Sequence, residues 1–218
     1  MEVVRLEGVS KTYKNAEVPA LEVSDLTVKE GEYISIRGVS GSGKSTLLHI
    51  LGGLLEPTTG KVLFRGRDIY SMKDTERSEW RGKQVGYLFQ NIQMVQALTV
   101  LENMILARKF GNDKTADVGK ILDILGLNEI ADHLPGQLSG GQKRRAMIGC
   151  VLIRRPQILL ADEPTNDLDA YWAGRVIDCM RGQVQDRGVL ILVTHDRKWA
   201  DTAVTRYTMS SGKLTRDT

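Results

Sequence analysis

The chain has 218 residues, of which 41% are hydrophobic and 26% charged, and its formal net charge at pH 7 is +3. These values are ordinary for a soluble globular protein of one or two domains. The small positive charge does not by itself suggest a nucleic-acid partner, for which a clustered basic face would be expected, so we expect no such partner. No apolar run approaches the roughly 18 residues that a transmembrane helix needs, so we expect no membrane crossing by the chain alone.

The N-terminal sequence and the two cysteines predict a cytosolic chain. No basic segment followed by a long apolar run stands at the N-terminus, which predicts the absence of a signal peptide. Cys150 and Cys179 lie far apart in sequence and form no C-x-x-C pair. We expect both to be reduced, in a cytosolic chain, and to act as small apolar fillers.

The first third of the chain is predicted to be β-structure. Apolar or alternating runs predict strands, and turn signals such as Lys29–Gly31 and residues 56–60 separate them. The predicted strands are Val3–Leu6, Leu21–Val28, Tyr33–Arg37 and Val62–Phe64. A helix is predicted from Lys44 to the pair Gly52-Gly53, where glycine would end it.

The middle of the chain is predicted to be helical. Thr99 and Glu102 form a capping-box pattern, and Ser139 and Gln142 form a second one. The predicted helices are Val100–Lys109, Val118–Leu125 and a third from the second capping box to about Arg154.

The last third alternates between strands and helices. The predicted elements are a strand at Ile158–Ala161, a helix at Ala170–Gln185, a strand at Val189–Val193 and a short helix around Lys198. Such alternation implies right-handed crossovers and a parallel core sheet. The helical middle is therefore predicted to be an insertion into this sheet domain.

Residues 38–45, Gly-Val-Ser-Gly-Ser-Gly-Lys-Ser, match the phosphate-loop pattern G-x-x-x-x-G-K-[ST]. A predicted strand precedes the loop and a predicted helix follows it, as this chemistry requires. Glycines let successive backbone N–H groups turn toward phosphate oxygens, and the helix N-terminus adds a partial positive charge. Lys44 would reach the β- and γ-phosphates, and the Ser45 hydroxyl would coordinate Mg²⁺. The loop alone leaves GTPases, small kinases, helicases and other ATPases open, although the guanine motif N-K-x-D is missing.

Two carboxylates, Asp162 and Glu163, end an apolar strand. Asp162 at the strand end can hold Mg²⁺, usually through water. Glu163 points elsewhere and can orient and deprotonate a water that attacks the γ-phosphate. An apolar run ending in Asp-Glu is a weak signal alone, and it gains strength because it follows a phosphate loop.

Residues 138–142, Leu-Ser-Gly-Gly-Gln, discriminate among these classes. A serine hydroxyl, glycine N–H groups and a helix N-terminus form a second anion site; the alternative is a flexible turn with a helix cap. One nucleotide has no need of two separate phosphate cradles. The pattern therefore favours two subunits arranged head to tail, each offering its second cradle to the ATP of the other.

The order of these motifs resembles that of ABC ATPases along nearly the whole chain. Tyr13 resembles the family's aromatic residue that stacks on adenine. Gln90 resembles the glutamine that links Mg²⁺ and attacking water to the transporter interface. Residues 166–169, Asn-Asp-Leu-Asp, resemble the loop that crosses the dimer, and His195 resembles the switch histidine that contacts the γ-phosphate and holds Glu163.

The resemblance implies an α/β fold with a P-loop NTPase (RecA-like) parallel-sheet core, an N-terminal antiparallel β subdomain and an inserted α-helical subdomain. It implies a single domain over residues 1–218. Residues 1–90 and 157–218 would form the nucleotide-binding core with the β subdomain, and residues 91–156 the helical signature subdomain.

The site that the resemblance implies has three overlapping groups of residues. The catalytic group is Lys44, Gln90, Glu163 and His195. The ATP-binding group is Tyr13, Ser40, Gly41, Ser42, Gly43, Lys44, Ser45, Thr46, Ser139, Gly140, Gly141 and Gln142. The Mg²⁺ group is Ser45, Gln90 and Asp162.

Finer details resemble one subgroup, the ATPases of macrolide and peptide exporters, antimicrobial-peptide resistance transporters and lipoprotein-release systems. Residues 38–62, 98–103 and 133–142 carry this resemblance. It implies an integral membrane permease as partner and a peripheral position on the cytoplasmic face of the cell membrane. Two complete half-sites in one chain make a homodimer the simpler case for the ATP-bound state and leave a heterodimer open.

Three segments depart from the subgroup. It usually has Gly-Asn-Leu-Asp at residues 166–169, a Gln-Gln-Arg run at Lys143–Arg145, and a later arginine at Cys150. Residues 93–97 replace a more apolar stretch near the place where a coupling helix of the partner would dock. None of these departures removes a group that the chemistry needs, and together they leave the transported substrate open.

The sequence thus predicts an ATP-hydrolysing subunit of an ABC transporter, which dimerises around two ATP–Mg²⁺ and drives a membrane subunit of an exporter or mechanotransmission-type system. One alternative is a non-transport ABC ATPase that regulates a membrane-bound cell-division or envelope complex, since such a regulator resembles the same subgroup. A nucleotide-binding scaffold without hydrolysis conflicts with the presence of Glu163 and His195.

Overall fold

The computed structural model describes residues 1–91, 94–184 and 188–217. Ten strands of these ranges form one continuous mixed sheet. They are Glu2–Lys11 (β1), Leu21–Lys29 (β2), Tyr33–Arg37 (β3), Thr59–Phe64 (β4), Arg67–Asp68 (β5), Val85–Leu88 (β6), Ile158–Asp162 (β7), Val189–Val193 (β8), Thr205–Ser210 (β9) and Lys213–Arg216 (β10). Their order across the sheet is β5-β4-β1-β2-β10-β9-β3-β8-β7-β6.

One half of the sheet is parallel and the other half is largely antiparallel. Strands β9, β3, β8, β7 and β6 run parallel, which confirms the predicted parallel core. Strands β2, β1, β4 and β5 pair antiparallel. Strand β10 joins the halves, since it pairs antiparallel with β9 and parallel with β2. The carboxyl ends of β3, β7 and β8 meet at one edge, where ligands of open α/β sheets bind.

Within the described ranges, seven α-helices accompany the sheet. They are Lys44–Leu51 (α1), Asp74–Gln84 (α2), Val100–Lys109 (α3), Val118–Ile124 (α4), Gly140–Leu152 (α5), Ala170–Val184 (α6) and Arg197–Ala200 (α7). Thr99 and Ser139 both cap their helices in complete capping boxes, which confirms the predicted starts of α3 and α5. Each of these helices is too short or too polar to span a lipid bilayer.

The predicted strands and helices are confirmed, with shifts at their ends. Strand β1 continues to Lys11, well beyond the predicted end at Leu6, because it is paired along its length with β2. Helix α5 ends at Leu152, two residues before the predicted Arg154. Gln185, the predicted end of α6, lies outside the described residues.

Helix α2 and strands β5, β6, β9 and β10 have no counterpart among the predicted elements. Helix α2 is polar throughout and buries only Trp80, so no apolar stripe marks it in the sequence. Strands β9 and β10 form a hairpin whose turn residues, Ser211 and Gly212, both have positive φ. Three of the four residues of β10 are exposed, which weakens the alternation that signals a strand.

Two apolar clusters fill the two faces of the parallel half. In β7, Leu159 and Ala161 belong to the cluster shared with α3 to α6, whereas Ile158 and Leu160 belong to the cluster shared with α1 and the antiparallel strands. Successive side chains of a strand point to opposite faces, so the helical segment covers one face and α1 the other. The division of the chain at residues 91–156 stays a prediction, because these helices share one cluster with β7 and α6.

Both cysteines are free and partly exposed. Burial of the sulfur raises the pKa of Cys150 to about 12 and also raises that of Cys179. Both side chains pack against the helical cluster, which agrees with the predicted role of small apolar fillers.

Candidate functional site

A cleft of about 600 Å³ lies at the carboxyl edge of the parallel strands. Most of the sequence-predicted site residues line it, although they come from separate segments of the chain. These are Tyr13, Ser40, Gly41, Gly43, Lys44, Ser45, Thr46, Gln90, Asp162, Glu163 and His195. Ser42 is buried in the wall of the loop.

The phosphate loop connects the buried strand β3 to helix α1, and its geometry depends on glycine. Gly43 has φ of 109°, and a Cβ atom there would lie 2.7 Å from the carbonyl oxygen of Ala20. Only glycine fits such a position, because both the conformation and the close approach exclude a side chain. Lys44 Nζ donates to the carbonyl oxygens of Gly38 at 2.8 Å and Val39 at 2.7 Å. The ammonium group of Lys44 therefore reaches back across the loop to the carbonyl oxygens of its first two residues.

Two hard oxygen ligands stand side by side in the cleft. Ser45 Oγ donates to Asp162 Oδ2 at 2.9 Å. Burial raises the pKa of Asp162, and the bond from Ser45 offsets part of that effect. In the described part of the chain, His, Cys, Asp and Glu side chains form no group of three that could hold a metal ion by itself. The adjacent oxygens of Ser45 and Asp162 suit Mg²⁺, which prefers oxygen ligands and usually completes its coordination with phosphates and water.

Glu163 is held by hydrogen bonds from the segment that follows β8. Thr194 Oγ1 donates to Oε2 at 3.0 Å, and the backbone N–H of His195 donates to Oε1 at 2.9 Å. The Nδ1 atom of His195 lies 2.8 Å from the same Oε1. Glu163 has φ of 48°, a left-handed conformation that is uncommon for residues other than glycine. The neighbouring carboxylates of Asp162 and Glu163 therefore have separate partners, which allows them to perform separate tasks.

Tyr13 and Gln90 lie at the exposed margins of the cleft. The Tyr13 hydroxyl is 3.1 Å from Thr46 Oγ1, and its ring is partly open to solvent. Gln90 follows β6, and its carbonyl oxygen accepts a hydrogen bond from Arg144 Nη2 at 2.6 Å. A planar ring and an amide at these margins are free to contact a bound nucleotide.

The second predicted cradle, Ser139–Gln142, lies outside the cleft. Ser139 and Gly140 are exposed at the start of α5, and none of the four residues lines the cleft. A Cβ atom at Gly141 would lie 2.8 Å from the carbonyl oxygen of Asp167, so this segment packs on the loop after β7. One chain alone therefore unites the phosphate loop, the carboxylates and His195, but not its second anion cradle.

Sequence reasoning missed several residues of the site. Ala20 lines the cleft. Gly38 and Val39 of the predicted phosphate loop also line it but were not among the predicted binding residues, and Asn166 does so from the loop that was expected at the dimer interface. Thr194 is fully buried and donates to Glu163. In the sequence, Thr194 lies between a buried strand and a histidine, and this position could have identified it. A hydroxyl there can reach a carboxylate at the end of the neighbouring strand.

Comparison with known proteins gives one family. The sequence profile of the ABC transporter family matches residues 21–166. The lipoprotein-releasing system ATP-binding protein LolD of Shewanella frigidimarina is 39% identical over 97% of this chain and 92% of its own length. The putative hemin import ATP-binding protein HrtA of Staphylococcus haemolyticus is 36% identical, with 97% and 98% of the two chains covered. The macrolide export protein MacB of Rhodopirellula baltica is 35% identical over 99% of this chain, which spans 33% of MacB.

Solved structures agree with the sequence comparison. The ATP-binding cassette MJ0796, a dimer in a post-hydrolysis state bound to ADP and Pi, has a TM-score of 0.88 and 33% identity, covering 98% of this chain and 97% of that chain. A second dimeric structure of MJ0796, described as a bacterial ABC transporter cassette, also has a TM-score of 0.88, at 34% identity. These matches confirm the predicted P-loop NTPase fold class. The chain therefore belongs to the ABC transporter family, in which it is an ATP-binding and ATP-hydrolysing subunit.

Proposed function

We propose that two copies of this chain close head to tail around two ATP molecules, and that hydrolysis reopens the dimer to drive a membrane permease. The observation that carries the proposal is the separation of the two anion cradles. The phosphate loop, Asp162, Glu163 and His195 share one cleft, whereas Ser139–Gln142 lie outside it, with Ser139 and Gly140 exposed. A second copy supplies the missing cradle most simply, and the dimeric state of MJ0796 supports this arrangement.

The nucleotide would lie along the phosphate loop. Backbone N–H groups of residues 40–45 and the N-terminus of α1 would bind its phosphates, with Lys44 on the β- and γ-phosphates. The exposed ring of Tyr13 would stack on adenine. Ser139 of the partner subunit and its glycine N–H groups would complete the contacts to the γ-phosphate.

Ser45 and Asp162 would hold Mg²⁺, with Gln90 next to them. When bound, the ion would neutralise charge on the β- and γ-phosphates. The proposal is supported by the 2.9 Å contact between Ser45 and Asp162, which puts two suitable oxygens together.

Hydrolysis would depend on Glu163 as the base. Its carboxylate would accept a proton from water as the water oxygen bonds to the γ-phosphorus, while the bond from phosphorus to the ADP oxygen breaks. Thr194 and His195 hold the carboxylate in one orientation, so little reorganisation is needed during the reaction. Loss of the γ-phosphate would remove the group that bridges the two subunits.

The permease would dock in an apolar groove of about 420 Å³ between β6, α3 and α5. Two of its lining residues are unusually exposed apolar side chains, Val95 at 47% and Phe110 at 64%. Phe89 lines this groove and Gln90 lines the nucleotide cleft, so adjacent residues would link the permease to ATP. Docking here would place the chain on the cytoplasmic face of the membrane. Gln93, one of the residues that depart from the subgroup, lies outside the described residues.

The transporter would be an exporter or a mechanotransmission-type system. LolD and MacB, which are named for lipoprotein release and macrolide export, support this choice. In such a system the closing of the ATP dimer would do mechanical work on the permease.

The Glu163→Gln variant tests the proposed dimer. The amide keeps the size of the side chain but cannot accept a proton, so we expect near-zero turnover together with a stable dimer in Mg·ATP, measured by gel filtration with light scattering. ADP should leave the variant monomeric. A second change, Ser139→Trp, should abolish the dimer because the bulky ring fills the exposed cradle. A Glu163→Gln variant that stays monomeric with ATP would contradict the proposal.

A further inference from the structure

Arg144 is a buried cation close to the nucleotide cleft. It lies on α5, one turn after the exposed cradle, and is 2% exposed. The subgroup resembled by this chain has a run of Gln-Gln-Arg at these positions, whereas this chain has Lys-Arg-Arg. A charged group here therefore requires a local explanation, because burying a cation is costly without suitable acceptors.

The acceptors are the backbone of the Gln90 loop. Arg144 Nη1 donates to the carbonyl oxygen of Phe89 at 3.0 Å, and Nη2 donates to that of Gln90 at 2.6 Å. The planar fork of a guanidinium matches two adjacent carbonyl groups, which a single point donor cannot do equally well. Asp167 Oδ2 lies 4.0 Å from Nη2 and partly balances the charge. Burial lowers the pKa of Arg144 and nearby Asp167 acts in the opposite direction, while the arginine stays charged.

The same helix is tightly fitted to the loop after β7. The carbonyl oxygen of Asp167 leaves no room for a side chain at Gly141, because a Cβ atom there would lie 2.8 Å from this oxygen. A shift of the α5 N-terminus would therefore move Arg144 with it, since both belong to one helix. Through its two hydrogen bonds, Arg144 would move the backbone of Gln90, whose side chain lines the cleft of its own chain.

We propose that Arg144 is a positioning residue that couples the two ATP sites of the dimer. ATP bound in the cleft of one subunit would contact the cradle of the second subunit and shift the N-terminus of its α5. Arg144, on the same α5, would transmit this shift to Gln90, which lines the second subunit's own nucleotide cleft. This inference rests on the proposed head-to-tail dimer. It adds a specific connection between α5 and the backbone of Phe89 and Gln90. A glutamine at position 144 would make this connection less firmly.

Arg144→Gln tests the coupling, and Arg145→Gln is its matched control. Arg145 is also a buried arginine that donates to backbone carbonyls, those of Leu125 and Gly126, and it stacks on Trp172 with 3.8 Å between its Cζ and the ring centre. Both variants should lose thermal stability, because both remove buried hydrogen bonds. Only Arg144→Gln should lower kcat, by about tenfold, with KM for ATP within about twofold of wild type. Its Hill coefficient for ATP should fall toward one.

Equal loss of kcat in Arg145→Gln, or wild-type kcat and cooperativity in Arg144→Gln, would overturn the coupling role. Arg144→Lys keeps the charge but not the fork, so it should fold and show an intermediate kcat. If the glutamine variant does not fold, a wild-type kcat in the lysine variant overturns the inference instead. In the Glu163→Gln background, Arg144→Gln should still form the ATP-dependent dimer. Failure of Glu163→Gln alone to dimerise would count against the proposed function rather than against Arg144.

Discussion

At the scale of single residues, the candidate chemistry depends on how one carboxylate is held. Glu163 receives hydrogen bonds from Thr194 and from the backbone of His195, residues more than thirty positions later in the chain. Asp162, its neighbour, contacts Ser45 instead. Hydrogen bonds of this kind fix the direction of a carboxylate, and a fixed base needs less reorganisation when water attacks the γ-phosphate. The supporting residues should therefore matter nearly as much as Glu163 itself.

Thr194→Val is expected to lower kcat for ATP by about tenfold while ATP affinity changes little, because valine keeps the shape but removes the hydroxyl. The same hydroxyl accepts from the backbone N–H of Asp196 at 3.1 Å. The buried Glu163 carboxylate and the half-buried N–H of Asp196 each lose a partner, so we expect a stability loss of about 1–3 kcal/mol. Steady-state kinetics and a thermal melt measure the two effects. Thr194→Ser keeps the hydroxyl and should retain most of the activity; a fast Thr194→Val enzyme would show that Thr194 does not orient Glu163.

At the scale of elements, the functional motifs stand where apolar strands end. Residues next to β3, β7 and β8 could be predicted because each motif is local in sequence and follows a buried strand. The contacts between motifs could not be predicted, since Arg144 meets Gln90 and Thr194 meets Glu163 only after the sheet has formed. Helix α2 also left no signal, because a polar helix that buries a single tryptophan lacks the apolar periodicity on which prediction depends.

In the cradle at the start of α5, glycine is required at position 141 for two separate reasons. In the sequence, the glycines at 140 and 141 were interpreted as backbone donors to phosphate. The structure adds that Gly141 approaches the Asp167 backbone closely, whereas a Cβ atom at Gly140 would meet the Asp167 side chain at ordinary distances of 3.6 and 3.8 Å. The two positions therefore differ in the free protein, before any nucleotide binds.

Gly141→Ala should destabilise the nucleotide-free chain by about 1–3 kcal/mol, because the new methyl group overlaps a backbone oxygen. Gly140→Ala should leave stability unchanged or raise it by up to about 1 kcal/mol, since alanine favours the helix. Thermal or urea unfolding without nucleotide compares them. Equal stability of the two variants would mean that the loop after β7 yields freely and does not restrain α5.

At the scale of the whole molecule, the cleft and the apolar groove meet at the end of β6. Phe89 stacks on Tyr87 with 4.0 Å between ring centres, and both rings line the groove. Gln90, the next residue, lines the nucleotide cleft. A partner that contacts Phe89 would therefore also act on the neighbouring residue Gln90. Arg144 donates hydrogen bonds to the carbonyl oxygens of both residues. Adjacent residues would thus connect the proposed permease groove to the nucleotide cleft.

Phe110→Glu and Val95→Glu should each separate this chain from the membrane. A carboxylate in an apolar groove would have to be desolvated when the permease docks, at a cost of several kcal/mol. Both side chains are largely exposed in the free chain, so the melting temperature should change little. The matched control is Val204→Glu, which alters another exposed valine, 82% exposed and outside the groove. Membranes from the native host should retain wild type and Val204→Glu in their sedimented fraction and lose the groove variants; equal sedimentation of all four proteins would exclude the groove as the docking site.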